Sequence, residues 1–138
     1  MGMLSGNRPA RLGKVKGDDG SLRLHPVKTK LTNAVSSFEL LGYHAIAPIA
    51  ARDPKATWAK LEKIVRDSTG AQVITAEADY LYAEFTTKLL GFVDDVEFLL
   101  DAPNKRIHVR SASRLGRKDF DVNRKRIESI RRQIAESF

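Results

Sequence analysis

The sequence predicts a two-layer α+β domain in which two helices cover one face of a curved antiparallel sheet. Three observations lead to this fold class. Residues 79–114 contain three successive segments in which apolar and polar residues alternate, as in strands with one covered face. Two other segments place apolar residues at three- and four-residue steps, which is typical of amphipathic helices. The segments follow one another in the order β-α-β-β-β-β-α, an order similar to one repeat of the TATA-binding-protein-like fold.

Length and composition favour a folded domain. The chain has 138 residues, 42% of them hydrophobic, which is enough to bury a core and excludes a wholly disordered protein. It contains no cysteine, so disulfides and thiolate zinc sites are excluded. The longest apolar run is too short to span a membrane, and the first six residues do not resemble a signal peptide. Composition identifies no compartment, and the sequence as it stands is typical of a cytoplasmic protein.

The net charge of +7 is unevenly distributed. Residues 1–30 hold seven Lys and Arg against two acidic residues, and residues 105–138 hold eleven against four, whereas residues 31–104 hold six against eleven. Basic ends around an acidic middle indicate attraction to an anionic partner, either a nucleic acid or a lipid surface. The simpler interpretation is a last helix with a charged outer face, because surface charge alone identifies no ligand.

Residues 1–37 are predicted to form an irregular N-terminal arm, and residues 38–138 the single α+β domain. Glycine and proline recur through the arm, Asp18–Gly20 has the composition of a turn, and no apolar pattern continues for more than a few residues. The sequence leaves open whether this arm packs along the domain or stays mobile.

The first strand and helix are predicted from a short apolar run and the helix start that follows it. Tyr43–Ala50 is the strand, with Pro48 near its end because proline cannot donate to a ladder. Asp53 is the expected N-cap, Pro54 the first helical residue, and Gly70 the stop. Four apolar side chains should line the buried face of this helix: Trp58, Leu61, Ile64 and Val65.

The remaining elements complete the sheet and the second helix. Ala71–Ala76 is predicted to be a strand, and reversals are expected at Leu89–Phe92 and Ala102–Lys105. The last helix should begin at Asp119 or Asp121 and bury a stripe of Ile127, Ile130, Ile134 and Phe138. The strand residues expected under the helices are Phe85, Val96, Phe98, Ile107 and Val109.

This alternation places a group of polar side chains on the opposite face of the sheet. No predicted element other than the arm covers that face. The members of the group are Tyr82, Glu84, Asp95, Glu97, His108, Arg110 and Arg114. A tight second reversal puts Glu97 opposite Arg110, and a first reversal near Leu90 puts Glu84 beside Glu97. The sequence therefore predicts a ladder of charged side chains across three strands.

Two interpretations of this ladder remain open. Glu84, Asp95 or Glu97 with Arg110 has the composition of an acid–base site in a hydrolase-type enzyme. Alternatively, the charges only pair across a solvated sheet, each pair contributing roughly 0.2–1 kcal/mol. We favour pairing, because no nucleophile–base pair or oxyanion site accompanies the carboxylates. On the helix side, Asp94 needs a partner, and Arg124 or Arg126 are the candidates.

No metal or cofactor is predicted. The three histidines show no ligand spacing, and no glycine pattern matches a phosphate loop or a dinucleotide fingerprint. The densest basic tract comprises Arg110, Arg114, Arg117, Lys118, Arg124, Lys125 and Arg126. It can contact phosphates, but no row of aromatic residues accompanies it for base stacking.

Several runs of the sequence resemble one family of bacteria and plastids, the domain of unknown function 1499. The long runs are Phe92–Phe98, Ile107–Arg114 and Asp121–Ile127, joined by Ala83–Thr86 and by the arm motifs Arg8-Pro9, Leu12-Gly13 and Asp19-Gly20. Family members often carry a Cys-Pro…Pro-Asn-Cys-Val-Ser-Ser segment. Here the matching region runs from His25-Pro26 to Ser36-Ser37 and lacks both cysteines, so a disulfide or redox role implied by that pair does not apply.

The resemblance implies a fold but no activity. Relatives are often exported, lipid-anchored or attached to membrane segments, which implies the cell envelope as an alternative location. The polar residues of the matching runs are expected to cluster where the sheet meets the start of the last helix. They are Glu84, Asp94, Asp95, Glu97, Arg110, Ser111, Ser113, Arg114, Asn123, Arg124 and Arg126.

The leading functional hypothesis is a non-enzymatic binding or assembly module that engages a small amphiphile, an envelope component or a protein partner. A nucleic-acid-binding module is the first alternative, and the hydrolase-type enzyme is the third. Peripheral membrane contact and oligomeric state stay open. The candidate binding residues are Tyr82, Glu84, Asp95, Glu97, His108, Arg110, Arg114, Arg124 and Arg126.

Overall fold

The structure is a computed structural model that describes residues 5–88 and 90–138. Its elements in chain order are β1 (Lys14–Lys16), β2 (Leu22–Leu24), β3 (Ala34–Ser36), β4 (Ile49–Ala50), α1 (Pro54–Asp67), β5 (Ala71–Ala76), β6 (Tyr80–Thr86), β7 (Val93–Asp101), β8 (Arg106–Ser113) and α2 (Val122–Ala135). The main sheet is antiparallel with the order β3-β8-β7-β6-β5, and β4 also pairs with β8. The predicted α+β class is confirmed.

Both helices pack on one face of this sheet. The core between the layers combines apolar residues of α1 and α2 with those that alternate along β6, β7 and β8. Trp58 is 9% exposed and lies in this core, as its place on the helical stripe predicts, and Phe98 and Val109 are fully buried there. Phe138, expected on the buried stripe of the last helix, is instead 71% exposed, because α2 ends three residues before it. The similarity in element order to a TATA-binding-protein repeat is not confirmed, since three additional strands precede β4.

Helix α1 starts and ends as its sequence signals predict. The side chain of Asp53 accepts a hydrogen bond from the Ala56 amide at 3.1 Å, and Pro54 opens the helix. Gly70 turns the chain into β5 with a positive φ of 79°. A Cβ at this position would lie 2.5 Å from the Thr86 carbonyl oxygen, so the turn requires glycine.

Helix α2 starts at the second of the two predicted caps but uses the side chain of the first. Asp121 occupies the N-cap position in a left-handed conformation and makes no side-chain capping bond. The carboxylate of Asp119 instead accepts the amides of Asp121 at 2.9 Å and Asn123 at 3.4 Å. Asp119 therefore satisfies the free amides of the helix end.

The predicted strand Tyr43–Ala50 is wrong except for its last two residues. Its His44 carbonyl accepts the amide of Ser36 in β3 at 2.7 Å, but four other carbonyl groups accept hydrogen bonds from side chains of α2. Arg124 donates to the carbonyls of Tyr43 and Ala45, and Arg131 donates to those of Ala47 and Pro48. Two arginine side chains thus provide the partners that a β-ladder would otherwise supply.

The prediction of an irregular arm is also wrong in part. Strands β1 and β2 form a hairpin, and β3 joins the edge of the main sheet beside β8. Leu24 is 1% exposed and packs with Tyr80, Tyr82 and Leu99 in a second apolar cluster on the face opposite the helices. Three-residue strands carry too few alternating positions to be recognised in the sequence, which explains why they were missed.

Candidate functional site

The alternation along β6, β7 and β8 sorts the side chains between the two faces as predicted, but the polar face is not solvated. Glu97 has no solvent exposure, Asp95 is 1% exposed and Tyr82 is 3% exposed. The N-terminal residues cover these side chains, and the expected open sheet face is therefore absent from the described part of the chain. Charges on this face are buried, so each must be compensated by partners.

Glu97 lies opposite Arg110 in the sheet register, as predicted. Its Oε2 accepts hydrogen bonds from the Tyr80 hydroxyl at 2.6 Å and from the Gly13 amide at 2.8 Å. Arg110 Nη1 stands 3.7 Å from Oε1, a loose ion pair. Burial raises the pKa of Glu97 above its usual value, although Tyr80, Gly13 and Arg110 each act to lower it.

Glu84 does not lie beside Glu97. The strand register pairs Glu84 with Asp95 and Tyr82 with Glu97, a two-residue difference from the prediction. Thr86 and Val93 form the last pair of β6 and β7 before the chain reverses. The predicted reversal includes Leu89, which lies outside the described residues. The expected ladder of Glu84, Glu97 and Arg110 is therefore wrong in its first member.

Glu84 and Asp95 instead share Arg114. The guanidinium of Arg114 donates to both oxygens of Asp95, at 2.8 and 2.9 Å, and to Glu84. The Tyr82 hydroxyl lies 2.6 Å from Asp95, and Arg8 reaches Glu84 from the N-terminal segment at 2.8 Å. Although burial alone would raise the pKa of Glu84, bonds from Arg8, Arg114 and Tyr82 hold it below its usual range.

Neither Glu84 nor Glu97 is suited to acid–base chemistry on a substrate. Glu84 is held ionised by two arginines. Glu97 has the raised pKa that a general acid requires, but its fully buried carboxylate is enclosed by Tyr80 and Gly13. A substrate would have to displace the N-terminal segment to reach it.

His108 is paired with a serine that the sequence did not connect to it. Its Nδ1 lies 2.9 Å from Ser37 Oγ, and its ring stacks on Phe38 with the centroids 4.0 Å apart. Burial, with the charges of Arg106 and Arg23, lowers the pKa of His108 to about 4 against the opposing charge of Asp101. The same serine oxygen accepts the Val109 amide at 2.9 Å, so Ser37 is held by the backbone. The pair fixes the loop after β3 to β8.

A separate polar network lies on the helix side of the sheet. Asp94 is 3% exposed and binds Arg126 of α2 at 2.6 Å, one of the two predicted partners. Asn123 is fully buried and bonds Ser111, Ser113 and Asp119. This network attaches α2 to β7 and β8. The polar residues expected in one cluster are thus divided between two faces of the sheet.

A groove of about 810 Å³ opens beside this sheet, between residues 7–11, residues 27–34 and the end of β8 with residues 114–117. We call it the cationic groove. Its lining includes five basic residues and one acidic residue, namely Arg11, Lys28, Arg110, Arg114, Arg117 and Asp95. Arg114 is bound to Asp95, and Arg110 pairs loosely with Glu97 behind the lining. No acidic residue of the lining compensates the charges of the other three cations. Apolar side chains, among them Val27 and Leu31, line the rest.

Arg110 is the residue of this groove with the clearest capacity for a ligand. Its side chain is only 12% exposed, and its Nε is buried and forms no hydrogen bond with any described residue. Burial, with the charges of Arg110 and Arg11, lowers the pKa of the nearby His25. The local potential is therefore positive, and a buried guanidinium N–H has unused donor capacity.

Of the nine candidate binding residues, Asp95, Arg110 and Arg114 line the groove. Tyr82, Glu84 and Glu97 contribute to the buried interactions behind it, whereas His108, Arg124 and Arg126 lie elsewhere. The predicted binding residues do not include Arg11, Lys28 or Arg117. Their proximity depends on how the N-terminal segment folds back, and only their charge was visible in the sequence.

Within the described residues, no group of three or more His, Cys, Asp or Glu side chains is arranged to hold a metal ion. The same part of the chain contains no helix long and apolar enough to cross a bilayer.

Comparison with known families gives one match that covers most of the chain. Residues 26–134 match the family described as Protein of unknown function (DUF1499). The chain belongs to this family. No curated protein and no solved structure gave a significant match.

Proposed function

We propose that this protein is a non-enzymatic binding module that holds a small anionic amphiphile in the cationic groove. The observation that carries the proposal is Arg110, whose buried Nε forms no hydrogen bond with any described residue, while the groove beside it has a basic lining. A carboxylate or phosphate group matches both the charge and the hydrogen-bonding capacity of a guanidinium.

The rest of the groove favours an amphiphile over a simple inorganic anion. Pro9, Val27, Leu31 and Leu115 provide apolar walls, and ligand sites commonly combine such walls with a few polar groups that fix orientation. The acidic head group would lie against Arg110, with Arg11 and Arg117 at its outer side. The apolar part would then contact the walls.

The basic tract gives less support to nucleic-acid binding. Arg114, Arg124 and Arg126 direct their guanidinium groups to acceptors within the protein. A duplex contact would require these side chains to leave partners that stabilise the fold. Only three of the seven cations in this tract are exposed, which is few for a phosphate-tracking surface.

Calorimetric titration with laurate, inorganic phosphate and a short single-stranded DNA tests the proposal. Laurate should bind, and phosphate should bind less tightly because it lacks an apolar part. Arg110→Gln should weaken laurate binding by about tenfold or more. The same change at exposed Arg132 on α2 is the matched control and should leave binding unchanged.

A second pair of variants separates ligand contact from folding, because Arg110 also faces Glu97. Arg11 and Arg117 are exposed, and their replacement by glutamine should weaken laurate binding without lowering the free energy of unfolding. Absence of laurate binding, or equal binding by all four variants, would overturn the proposal. DNA binding that falls steeply with added salt would assign the surface to nucleic acid instead.

A further inference from the structure

We propose a second functional surface, a docking site for an anionic lipid bilayer formed by Leu40, Leu41 and Phe120. These three side chains, which we call the apolar tip, are 85%, 88% and 82% exposed, more than any other large hydrophobic side chain among the described residues. Full exposure of adjacent leucines is unfavourable in water and commonly marks an interaction site. None of the three residues of the apolar tip lines the cationic groove.

The apolar tip is built on a fixed base rather than on a loose loop. Behind Leu40 and Leu41, the Ser36 amide donates to the His44 carbonyl at 2.7 Å, and Gly42 turns the chain with a φ of 78°. The Tyr43 hydroxyl lies 2.7 Å from Asp119 and 2.8 Å from Asp121, the two neighbours of Phe120. The two segments that carry the tip are therefore joined directly.

The backbone at Phe120 directs an aromatic side chain into solvent at a conformational cost. Phe120 and Asp121 both have positive φ, 51° and 64°, although neither is glycine. Such conformations are unfavourable for residues with a Cβ and tend to persist at functional positions. Here the bonds to Asp119 hold the backbone in place while the ring stays outside the core.

Basic side chains flank the apolar tip. Thr32 and Lys118 are bridged, which brings the exposed Lys28 and Lys30 beside the segment that leads to Phe120. Arg117, Lys118 and Lys125 are also exposed. Of the neighbouring acids, Asp119 is 8% exposed. Asp121 is half-exposed, but its carboxylate accepts the Tyr43 hydroxyl and lies 4.0 Å from Arg124.

This combination selects a lipid surface as the occupant. Leucine and aromatic side chains that project from a basic surface match the boundary between acidic head groups and acyl chains. Each cation near an anionic leaflet adds attraction that falls within a Debye length. All three side chains of the tip are more than 80% exposed, so they are free to insert into such a boundary.

Co-sedimentation of the full chain with vesicles tests the assignment. The protein should pellet with vesicles of phosphatidylcholine and phosphatidylglycerol, and much less with phosphatidylcholine alone. Replacing Leu40 and Leu41 together by serine, or Phe120 by serine, should lower the partition coefficient by about tenfold or more. Phe138→Ser is the matched control, since Phe138 is 71% exposed at the C-terminus, and it should partition as the unmodified protein does.

Two results would overturn the inference: absence of binding to the anionic vesicles, or unchanged binding by the serine variants. Sedimentation velocity provides the remaining comparison. If the protein self-associates and the Leu40/Leu41 variant is monomeric, the surface would belong to a second copy of the chain and the lipid assignment would be wrong. Arg110→Gln should leave vesicle binding unchanged, which separates this surface from the groove.

Discussion

The amide of Gly13 donates a 2.8 Å hydrogen bond to Oε2 of Glu97, joining the N-terminal segment to the centre of the sheet. Gly13 adopts a φ of 105°, which favours glycine at this contact. The same carboxylate accepts the Tyr80 hydroxyl and faces Arg110. A single buried side chain therefore connects the covering segment, the sheet and the groove.

Glu97→Ala is predicted to cost about 3–5 kcal/mol of unfolding free energy, because it leaves Arg110 and the Gly13 amide buried without an acceptor. Urea denaturation measures this cost. Glu97→Gln should cost less, since the amide oxygen still accepts a hydrogen bond. Glu62→Ala, which removes a surface pair with Arg66, is the control and should change stability by less than about 0.5 kcal/mol. An equally small effect at Glu97 would mean that its face is solvated.

Asp94 and Arg126 are predicted to couple α2 to the sheet. A double-mutant cycle with Asp94→Ala and Arg126→Ala should give a coupling free energy of about 1.5–3 kcal/mol, because the pair is largely buried and charged. The exposed pair of Lys63 and Asp67 should give no more than about 0.5 kcal/mol. Equal coupling in the two cycles would contradict the assigned role of this pair.

The decrease in the free energy of unfolding at acidic pH should depend on His108. Its pKa of about 4 in the folded protein lies below the ordinary value of 6.5, so the unfolded chain binds the extra proton first. The contribution of neutral His108 to the free energy of unfolding is fully present above pH 6.5 and is lost as the pH falls towards 4. Allowing for solvent screening, the loss is roughly 2 kcal/mol.

His108→Phe keeps an aromatic ring against Phe38 but cannot titrate, so it should flatten the decline between pH 6.5 and 4.5. Urea denaturation at several pH values measures the slope. Glu97, with its raised pKa, contributes the opposite slope in this range, so only the difference between variant and parent is informative. A parallel decline in both proteins would exclude His108 as the source.

Asp119 rather than Asp121 is predicted to be the energetic cap of α2. Asp119→Ala should cost about 1–2 kcal/mol, because it removes an acceptor from the helix amides and from Asn123. Asp121→Asn should cost clearly less, since Asp121 makes no capping bond and asparagine tolerates its left-handed backbone conformation. The free energies of unfolding of the two variants give the comparison, and the reverse order would disprove the assignment.

The sequence was sufficient for the parts of the fold that repeat a pattern. Seven or more alternating residues in β6, β7 and β8 determine which side chains face the helices, and Asp53-Pro54 locates the start of α1. The pairing of Glu97 with Arg110 followed from a short turn. These features depend on neighbours in the chain, which a sequence displays directly.

The groove and the covered face could not be predicted in the same way. They depend on contacts such as those of Arg8 with Glu84 and Gly13 with Glu97, which are 76 and 84 residues apart in the chain. The segment Tyr43–Pro48 looked like a strand because its apolar composition fits one. Apart from the Ser36 amide, which donates to the His44 carbonyl, the partners of its carbonyl groups are arginines almost eighty or more residues away, and no local pattern identifies them.

The N-terminal segment is packed against the sheet and thereby forms one wall of the groove. Because the chain has no cysteine, a single introduced thiol can report this packing by its rate of labelling under native conditions. Leu24 and Leu22 belong to the same strand but are 1% and 42% exposed. Leu24→Cys should label at least about a hundredfold more slowly than Leu22→Cys. Equal, rapid labelling of both variants would show that the segment is not packed, and would contradict the account.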